Sequence, residues 1–183
     1  MTRRTSIAVV GCLVLAGCTS TGSHSQPPSR SSGKAPAQPS DPVAAETTLN
    51  CSDQIVTDRP ADNLHTVKGV VALPVASTAG TLRTNPVRPQ SQAELFAKQG
   101  LVVRAGRTFD LVVPPEERNR LAMGWGSSGH KTWRLHVSCP HTTTAGWLAF
   151  PGGYYVPRRA CVSLIVRTAS TQERVRIGVG VAC

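Results

Sequence analysis

The sequence predicts an all-β domain, an antiparallel β-sandwich of the immunoglobulin-like kind with one short helix, preceded by a signal peptide and a disordered linker. Three observations predict this class. Short stretches of alternating apolar and polar residues recur from residue 51 onward. Gly, Pro and Asn separate them at roughly the spacing of a sandwich. The chain has 183 residues and is 40% hydrophobic, enough for one modest core. A small β-barrel is the alternative.

The first eighteen residues have the order of a secretory signal. Arg3 and Arg4 precede SIAVVGCLVLAG, an apolar run that is too short to span a bilayer. The run ends at LAGC, which resembles the lipobox of bacterial lipoproteins. The resemblance implies a signal peptide over residues 1–17, cleavage before Cys18 and a diacylglyceryl group on the Cys18 sulfur, a lasting anchor. The alternatives are an ordinary signal with a chance cysteine and an uncleaved membrane anchor.

Residues 18–50 are predicted to be the lipid-attachment cysteine and a disordered linker. Ser, Thr, Pro, Gln, Ala and Gly dominate this stretch, which contains almost no large apolar residue. Such a composition cannot bury enough surface to offset the entropy of ordering. The linker should have a reach of roughly 30 Å and hold a folded domain, residues 51–183, off the membrane.

The first strand of that domain is predicted in TVKGVVALPVA, and GLVVRAGRTFDLVVP offers two more around a turn at Ala105 and Gly106. RLAMGWG and KTWRLHVSC each predict a strand with its apolar residues on one face. The residues predicted to point inward from these strands are Phe109, Leu111, Val113, Leu121, Met123, Trp125, Trp133, Leu135, Val137 and Cys139.

The short helix is predicted in SQAELFAKQG, residues 91–100. Ser91 is placed as the N-cap, Glu94 completes a capping box, and Gly100 is placed just after the last turn.

CVSLIVRT and RVRIGVGVAC predict a closing hairpin. A register with Val166 opposite Val175 gives each apolar residue an apolar partner. The other pairs in that register are Leu164 with Ile177 and Val162 with Val179.

Four cysteines remain after Cys18, namely Cys51, Cys139, Cys161 and Cys183. An exported domain with an even number of cysteines usually forms disulfides, here two, with three possible connectivities. The predicted register puts Cys161 nearest Gly180 and on the face opposite Cys183, which disfavours a bond between those cysteines. We therefore favour Cys139 with Cys161 and Cys51 with Cys183.

The stretch WLAFPGGYYVPRRACVSLIVRT, followed by RVRIGVGVAC, is similar to exported proteins of unknown function that are common in actinobacteria. Those proteins show a Trp, a Phe-Pro-Gly-Gly-aromatic turn, a cysteine opening a strand, and a closing Ile-Gly-x-Gly strand with a final cysteine. The resemblance reaches back weakly to VRAGRTFDLVVP. It implies an exported β domain and brings no activity with it.

No catalytic or metal-binding residue is predicted, and no cofactor. His130, His136, Cys139 and His141 lie close together in sequence, but their spacing matches no zinc pattern. A nucleophile elbow is missing around Ser127 and Ser128 beside His130. The carboxylates near the middle of the domain are Asp110, Glu116 and Glu117.

An aromatic stretch around Pro151, Gly152 and Gly153 is the candidate binding site. Rings on both sides of a Gly-Gly turn can present a platform to a sugar or a protein, or they can belong to the core. Two arginines that follow can pair with an anionic partner or face solvent. The candidate binding residues are Trp147, Phe150, Tyr154, Tyr155, Arg158 and Arg159.

The formal charge of the chain is +10, and loss of Arg3 and Arg4 with the signal would leave +8. The basic residues are scattered, so the charge favours anionic neighbours without indicating nucleic acid. We expect a lipid-anchored protein on the extracytoplasmic face of the cell membrane that binds an envelope protein or polymer. The alternatives are a structural or accessory subunit of an envelope complex and an exported hydrolase.

Overall fold

The computed structural model describes residues 42–57, 59–89, 91–127, 129–140 and 146–183, without the side chains of Val56, Ser91 and Gln92. Cys18, most of the linker, Ser128 and His141 lie outside this part of the chain. Within it, the predicted all-β class is confirmed. The one α-helix among these residues, α1, spans Ala76–Ala79, and short 3-10 turns span Cys51–Asp53 and Pro115–Glu117.

Fifteen strands lie in the described residues. In chain order they are β1 Thr47–Thr48, β2 Ile55–Thr57, β3 His65–Val67, β4 Val71–Leu73, β5 Thr81–Leu82, β6 Asn85–Arg88, β7 Ser91–Lys98, β8 Leu101–Arg104, β9 Thr108–Val112, β10 Ala122–Trp125, β11 Arg134–Ser138, β12 Trp147–Phe150, β13 Gly152–Val156, β14 Ala160–Arg167 and β15 Gln172–Val179.

The strands form three sheets. The six-stranded sheet has the order β1-β11-β9-β14-β15-β5, the four-stranded sheet β10-β13-β7-β6, and the five-stranded sheet β2-β12-β8-β4-β3. Neighbouring strands are antiparallel except for β1 with β11 and β15 with β5, the pairs at the two edges of the six-stranded sheet. Both edges of that sheet therefore come from short strands of two residues.

One large hydrophobic cluster contains buried side chains from all three sheets. The alternation predicted for β9, β10 and β11 is confirmed, because their inward residues are buried, with Trp133 partly buried at the margin. A second, smaller cluster of Ala72, Val102 and Trp147 lies on the other face of the five-stranded sheet, since these residues alternate with members of the large cluster.

Two stretches contain more turns than the prediction gave them. TVKGVVALPVA contains a hairpin of β3 and β4, not one strand, and Lys68 and Gly69 take positive φ angles at its turn. The predicted turn at Ala105 and Gly106 is present, with Gly106 at φ 72°. It does not close a hairpin, because β8 belongs to the five-stranded sheet and β9 to the six-stranded sheet.

The predicted helix over residues 91–100 is wrong, because Ser91–Lys98 is strand β7. β7 pairs with β13 on one side and β6 on the other. Its side chains alternate: Ala97 is fully buried in the core, while the ring of Phe96 lies on the opposite side, 4.8 Å from that of Tyr155. Contacts with two neighbouring strands therefore override a local capping signal.

The closing hairpin of β14 and β15 is confirmed, but its register is wrong by two residues. Leu164 lies opposite Val175, and Val162 lies opposite Ile177. A slip of two keeps every side chain on its own face, so alternation cannot distinguish the two registers. The turn sets the register of β14 with β15. There the Thr168 amide donates a hydrogen bond to the Thr171 carbonyl at 2.8 Å and closes a short loop between the two strands.

The favoured disulfide connectivity is also wrong. The bonds join Cys51 to Cys139 and Cys161 to Cys183. Cys161 lies opposite Gly178, and the chain reverses at Gly180, which has a φ of 72°. After this reversal, Val181 and Ala182 pack against Gly178, where an added Cβ would lie 2.6 Å from the Val181 carbonyl oxygen. Lack of a side chain at Gly178 therefore lets the chain bring Cys183 to Cys161.

Residues just before Cys51, which the sequence assigns to the linker, make backbone hydrogen bonds with the domain. The Leu49 amide donates to the His136 carbonyl at 2.9 Å, and the Ala44 amide donates to the Lys131 carbonyl at 2.8 Å. Leu49 is buried in the large cluster. Composition missed this segment because backbone hydrogen bonds and a single leucine attach it to the domain.

Candidate functional site

Three of the four rings in the aromatic stretch are buried, as expected for core residues, and Tyr155 is half-buried. The side chain of Tyr154 is fully buried, and Phe150 and Trp147 are 1% and 7% exposed. The Tyr154 ring meets the Trp125 ring edge-on at 5.3 Å, and burial raises the pKa of Tyr154 well above its ordinary value. The alternative, that these rings are core residues, is the one the burial supports.

Tyr155 takes part in a polar cluster that the sequence did not predict. The Lys131 ammonium lies 2.8 and 2.7 Å from the two Glu94 carboxylate oxygens and 5.2 Å from the centre of the Tyr155 ring. Lys131 is only 5% exposed. A buried lysine requires such a partner, so this pair has a structural role in joining β7 to the segment before β11.

A second cluster of polar side chains surrounds Asp110. One Asp110 oxygen lies 2.8 Å from His136 Nδ1, and the other accepts from Arg134 Nη2 at 2.8 Å. The three residues lie on the adjacent strands β9 and β11, where His136 is directly opposite Asp110. Arg134 also reaches Glu46 through Nη1 at 3.3 Å. This cluster attaches the segment before β1 to the six-stranded sheet.

Burial raises the pKa of Asp110, but hydrogen bonds and charge from Arg134 and His136 outweigh it, so the pKa lies below its ordinary value. Stability from the ionised carboxylate is therefore present above the unfolded-state pKa of about 3.9 and is lost as pH falls through the lower folded-state pKa. We expect Asp110→Asn to lower Tm at pH 7, and the gap from wild type to shrink below about pH 4. Thermal melts between pH 2.5 and 7 measure this.

Asp62→Asn is the control for that series. Asp62 pairs with Arg59, and both side chains are largely exposed, so removing the charge should change Tm little at any pH. A wild-type to Asp110→Asn gap that stays constant down to pH 2.5 would contradict the assignment.

Ser127, Glu116 and Cys139 are held in structural contacts, whereas His130 is exposed. Asp53 Oδ2 accepts hydrogen bonds from the Ser127 amide at 2.7 Å and from its hydroxyl at 2.8 Å, which lowers the pKa of Asp53. Glu116 pairs with Arg174, and Cys139 is in a disulfide. In the described part of the chain, no three His, Cys, Asp or Glu side chains form a potential metal site. No helix described there has the length and apolarity to cross a membrane.

Arg158 and Arg159 are exposed, and Arg159 contributes to an open groove with a volume of about 580 Å³. We call this the β5 groove; its lining is residues 81–85, Arg159 and Gly180. The groove forms where the chain leaves β5, at the edge of the six-stranded sheet, and starts β6, at the edge of the four-stranded sheet. The Gly180 amide donates a hydrogen bond to the Leu82 carbonyl at 2.8 Å. This bond joins the side of the groove formed by residues 81–85 to the side formed by Gly180 and Arg159.

The polar lining of the β5 groove is not neutralised from within the domain. The two arginines, Arg83 and Arg159, make no ion pair or side-chain hydrogen bond with any residue described in the structure. The same holds for the side chains of Thr81, Thr84 and Asn85. Sequence inspection singled out Arg159 but missed the segment TLRTN, because its polar residues resemble an ordinary loop.

No family model, curated protein or solved structure matches this chain.

Proposed function

We propose that this protein is an exported binding domain, anchored by a lipid on Cys18 to the extracytoplasmic face of the cell membrane. It acts by holding an envelope component and carries out no catalysis. The proposal includes the finer fold, an immunoglobulin-like β-sandwich. In a sandwich, sheets pack over a common core, and the large hydrophobic cluster takes buried side chains from the three sheets.

The observation that carries the proposal is the pair of disulfides. The Cα atoms of Cys51 and Cys139 are 5.5 Å apart, and those of Cys161 and Cys183 are 5.0 Å apart. Both distances lie in the usual range for a disulfide. Disulfides persist in oxidising compartments, so the bonds support export, the same destination that the signal and lipobox imply.

The open β5 groove supports a role in binding. Its polar side chains have no hydrogen-bond or ion-pair partner among the described residues, and its two arginines carry positive charge that an anionic ligand can neutralise. An anionic envelope polymer or lipid headgroup suits such a site. The positive charge of this lining is in keeping with the net charge of +10 on the whole chain, which favours anionic partners.

Cys18→Ala tests the anchor. Cells supplied with a radioactive or clickable palmitate should label the wild-type protein and should not label Cys18→Ala, because the sulfur that receives the lipid is gone. The variant should also keep its signal peptide and migrate as the larger precursor. Labelling and precursor size are read from one gel.

Cys12→Ala is the matched control, since Cys12 lies in the same apolar run six positions before Cys18. It should retain both the label and the mature size. Equal labelling of wild type and Cys18→Ala, or loss of label in Cys12→Ala alone, would count against the anchor.

A further inference from the structure

We propose that the β5 groove binds a phosphate-bearing anion, through the guanidinium groups of Arg83 and Arg159 and the side chains of Thr81, Thr84 and Asn85. This inference deepens the proposed binding function by naming its site and the chemistry of its ligand. It does not depend on the lipid anchor, because the groove belongs to the folded domain.

The charge of the groove is the first argument. Two arginines line it, and no acidic residue does. All the side-chain carboxylates that the structure describes are engaged elsewhere, in ion pairs or, for one of them, with Ser127; they are Glu46, Asp53, Asp62, Glu94, Asp110, Glu116, Glu117 and Glu173. The positive charge of the groove is therefore available to an anion from outside.

The kinds of donor are the second argument. A guanidinium offers a planar fork of N–H groups that matches phosphate oxygens. The lining also holds two hydroxyls and one amide, at Thr81, Thr84 and Asn85. Several donors around one site suit a tetrahedral oxyanion better than a flat carboxylate, whose two oxygens lie in a single plane. The groove volume of about 580 Å³ is within the range of ligand pockets.

The way Arg159 is held is the third argument. A Cβ on Gly180 would lie 2.5 Å from Arg159 Cγ and 3.0 Å from its Cδ. The aliphatic stem of Arg159 therefore lies directly on the backbone of Gly180, whose φ of 72° favours glycine. The Cys161–Cys183 disulfide closes the same chain reversal. A stem held in this way loses less entropy when its head group binds a ligand.

Equilibrium dialysis of the full-length protein in neutral detergent, with radiolabelled glycerol 3-phosphate, tests the proposal. Wild type should bind the ester, and the double variant Arg83→Gln with Arg159→Gln should bind it at least tenfold more weakly. The matched control is Arg107→Gln with Arg167→Gln, which removes two exposed arginines outside the groove and changes the net charge equally. The control should remain within twofold of wild type.

Three results would overturn the proposal: no binding by wild type, equal weakening in both double variants, or equal displacement of the ester by acetate and by inorganic phosphate. Arg83→Gln alone, at an exposed position, guards against a folding defect and should weaken binding with an unchanged Tm. The loss of binding in a variant with wild-type Tm then belongs to the groove.

A second arm identifies the source of the phosphate. Phosphatidylglycerol added to the micelles should displace the soluble ester if a lipid headgroup is the ligand, whereas diacylglycerol, which has no phosphate, should not. Ester binding that persists beside phosphatidylglycerol assigns the groove to a phosphate-bearing polymer or small molecule. Palmitate labelling reports on Cys18 and dialysis reports on the groove, so either proposal can fail while the other stands.

Discussion

Replacing Cys51 and Cys139 together with alanine should lower the free energy of unfolding by about 4.6 kcal/mol, estimated from the entropy of loop closure. The bond joins residues 88 positions apart, and a crosslink across so long a span restricts the unfolded chain strongly. It also holds the 3-10 turn at Cys51 against the end of β11. Urea unfolding of the oxidised wild type and the double variant, followed by tryptophan fluorescence, measures the difference.

The double variant Cys161→Ala with Cys183→Ala is the comparison. Its bond spans 22 positions, so the same entropy argument gives a loss of about 3.4 kcal/mol. The longer span should therefore cost more to open. A larger loss from the shorter span would contradict the entropic account and would assign the stability to local packing around Gly178.

Gly153→Ala should destabilise the domain by more than about 4 kcal/mol or prevent folding, the size expected when backbone atoms must move. A Cβ at this position would overlap the carbonyl oxygen of Ala97, on the neighbouring strand β7, and would lie 2.9 Å from the ring of Phe96. β13 and β7 would have to separate to admit it. Circular dichroism and urea unfolding measure the loss.

Gly100→Ala is the control. A Cβ there would meet only the Phe150 carbonyl oxygen, at an ordinary 3.7 Å, and Gly100 does not need a positive φ. Its free energy of unfolding should stay close to that of wild type. A Gly153→Ala protein as stable as Gly100→Ala would show that the two strands separate at little cost.

Period-two alternation predicted β8–β11, β14 and β15, and for β9, β10 and β11 the signal is clear because their inward side chains are consistently apolar. It did not predict the short strands β1, β2, β5 and β6, or β12 and β13. It could not predict the register of β14 and β15, since a slip of two leaves Leu164 and Val175 on the same face. The disulfide error has a different cause, because the prediction extended the last strand straight to Cys183, whereas the chain reverses at Gly180. The helix error at Ser91–Lys98 has another cause, because a capping box is a local signal and the pairing with β13 and β6 is not.

The candidate site shows a similar limit. The aromatic residues around Gly152 and Gly153 suggest a binding platform from the sequence. In the structure these glycines allow neighbouring strands to pack closely, and Tyr154 lies in the core. Arg159 was a candidate on its own. Its partners in the β5 groove come from residues 81–85, more than seventy positions earlier, and only the pairing of β15 with β5 brings them together. No short-range pattern contains that information.

The Cys51–Cys139 bond also has a mechanical consequence if the domain is tethered at its N-terminal side, as proposed. Tension on the linker first loads the backbone bridge between Ala44 and Thr132. It then loads β1, which is two residues long and pairs with β11 in parallel. Once β1 detaches, the load reaches Cys51 and passes through a covalent bond to Cys139. The chain can then lengthen by only the stretch between residues 42 and 51, roughly 30 Å, while the 88 positions between the two cysteines stay closed. The disulfide would thus limit the extension of the chain under tension and protect the strands between Cys51 and Cys139 from being pulled apart.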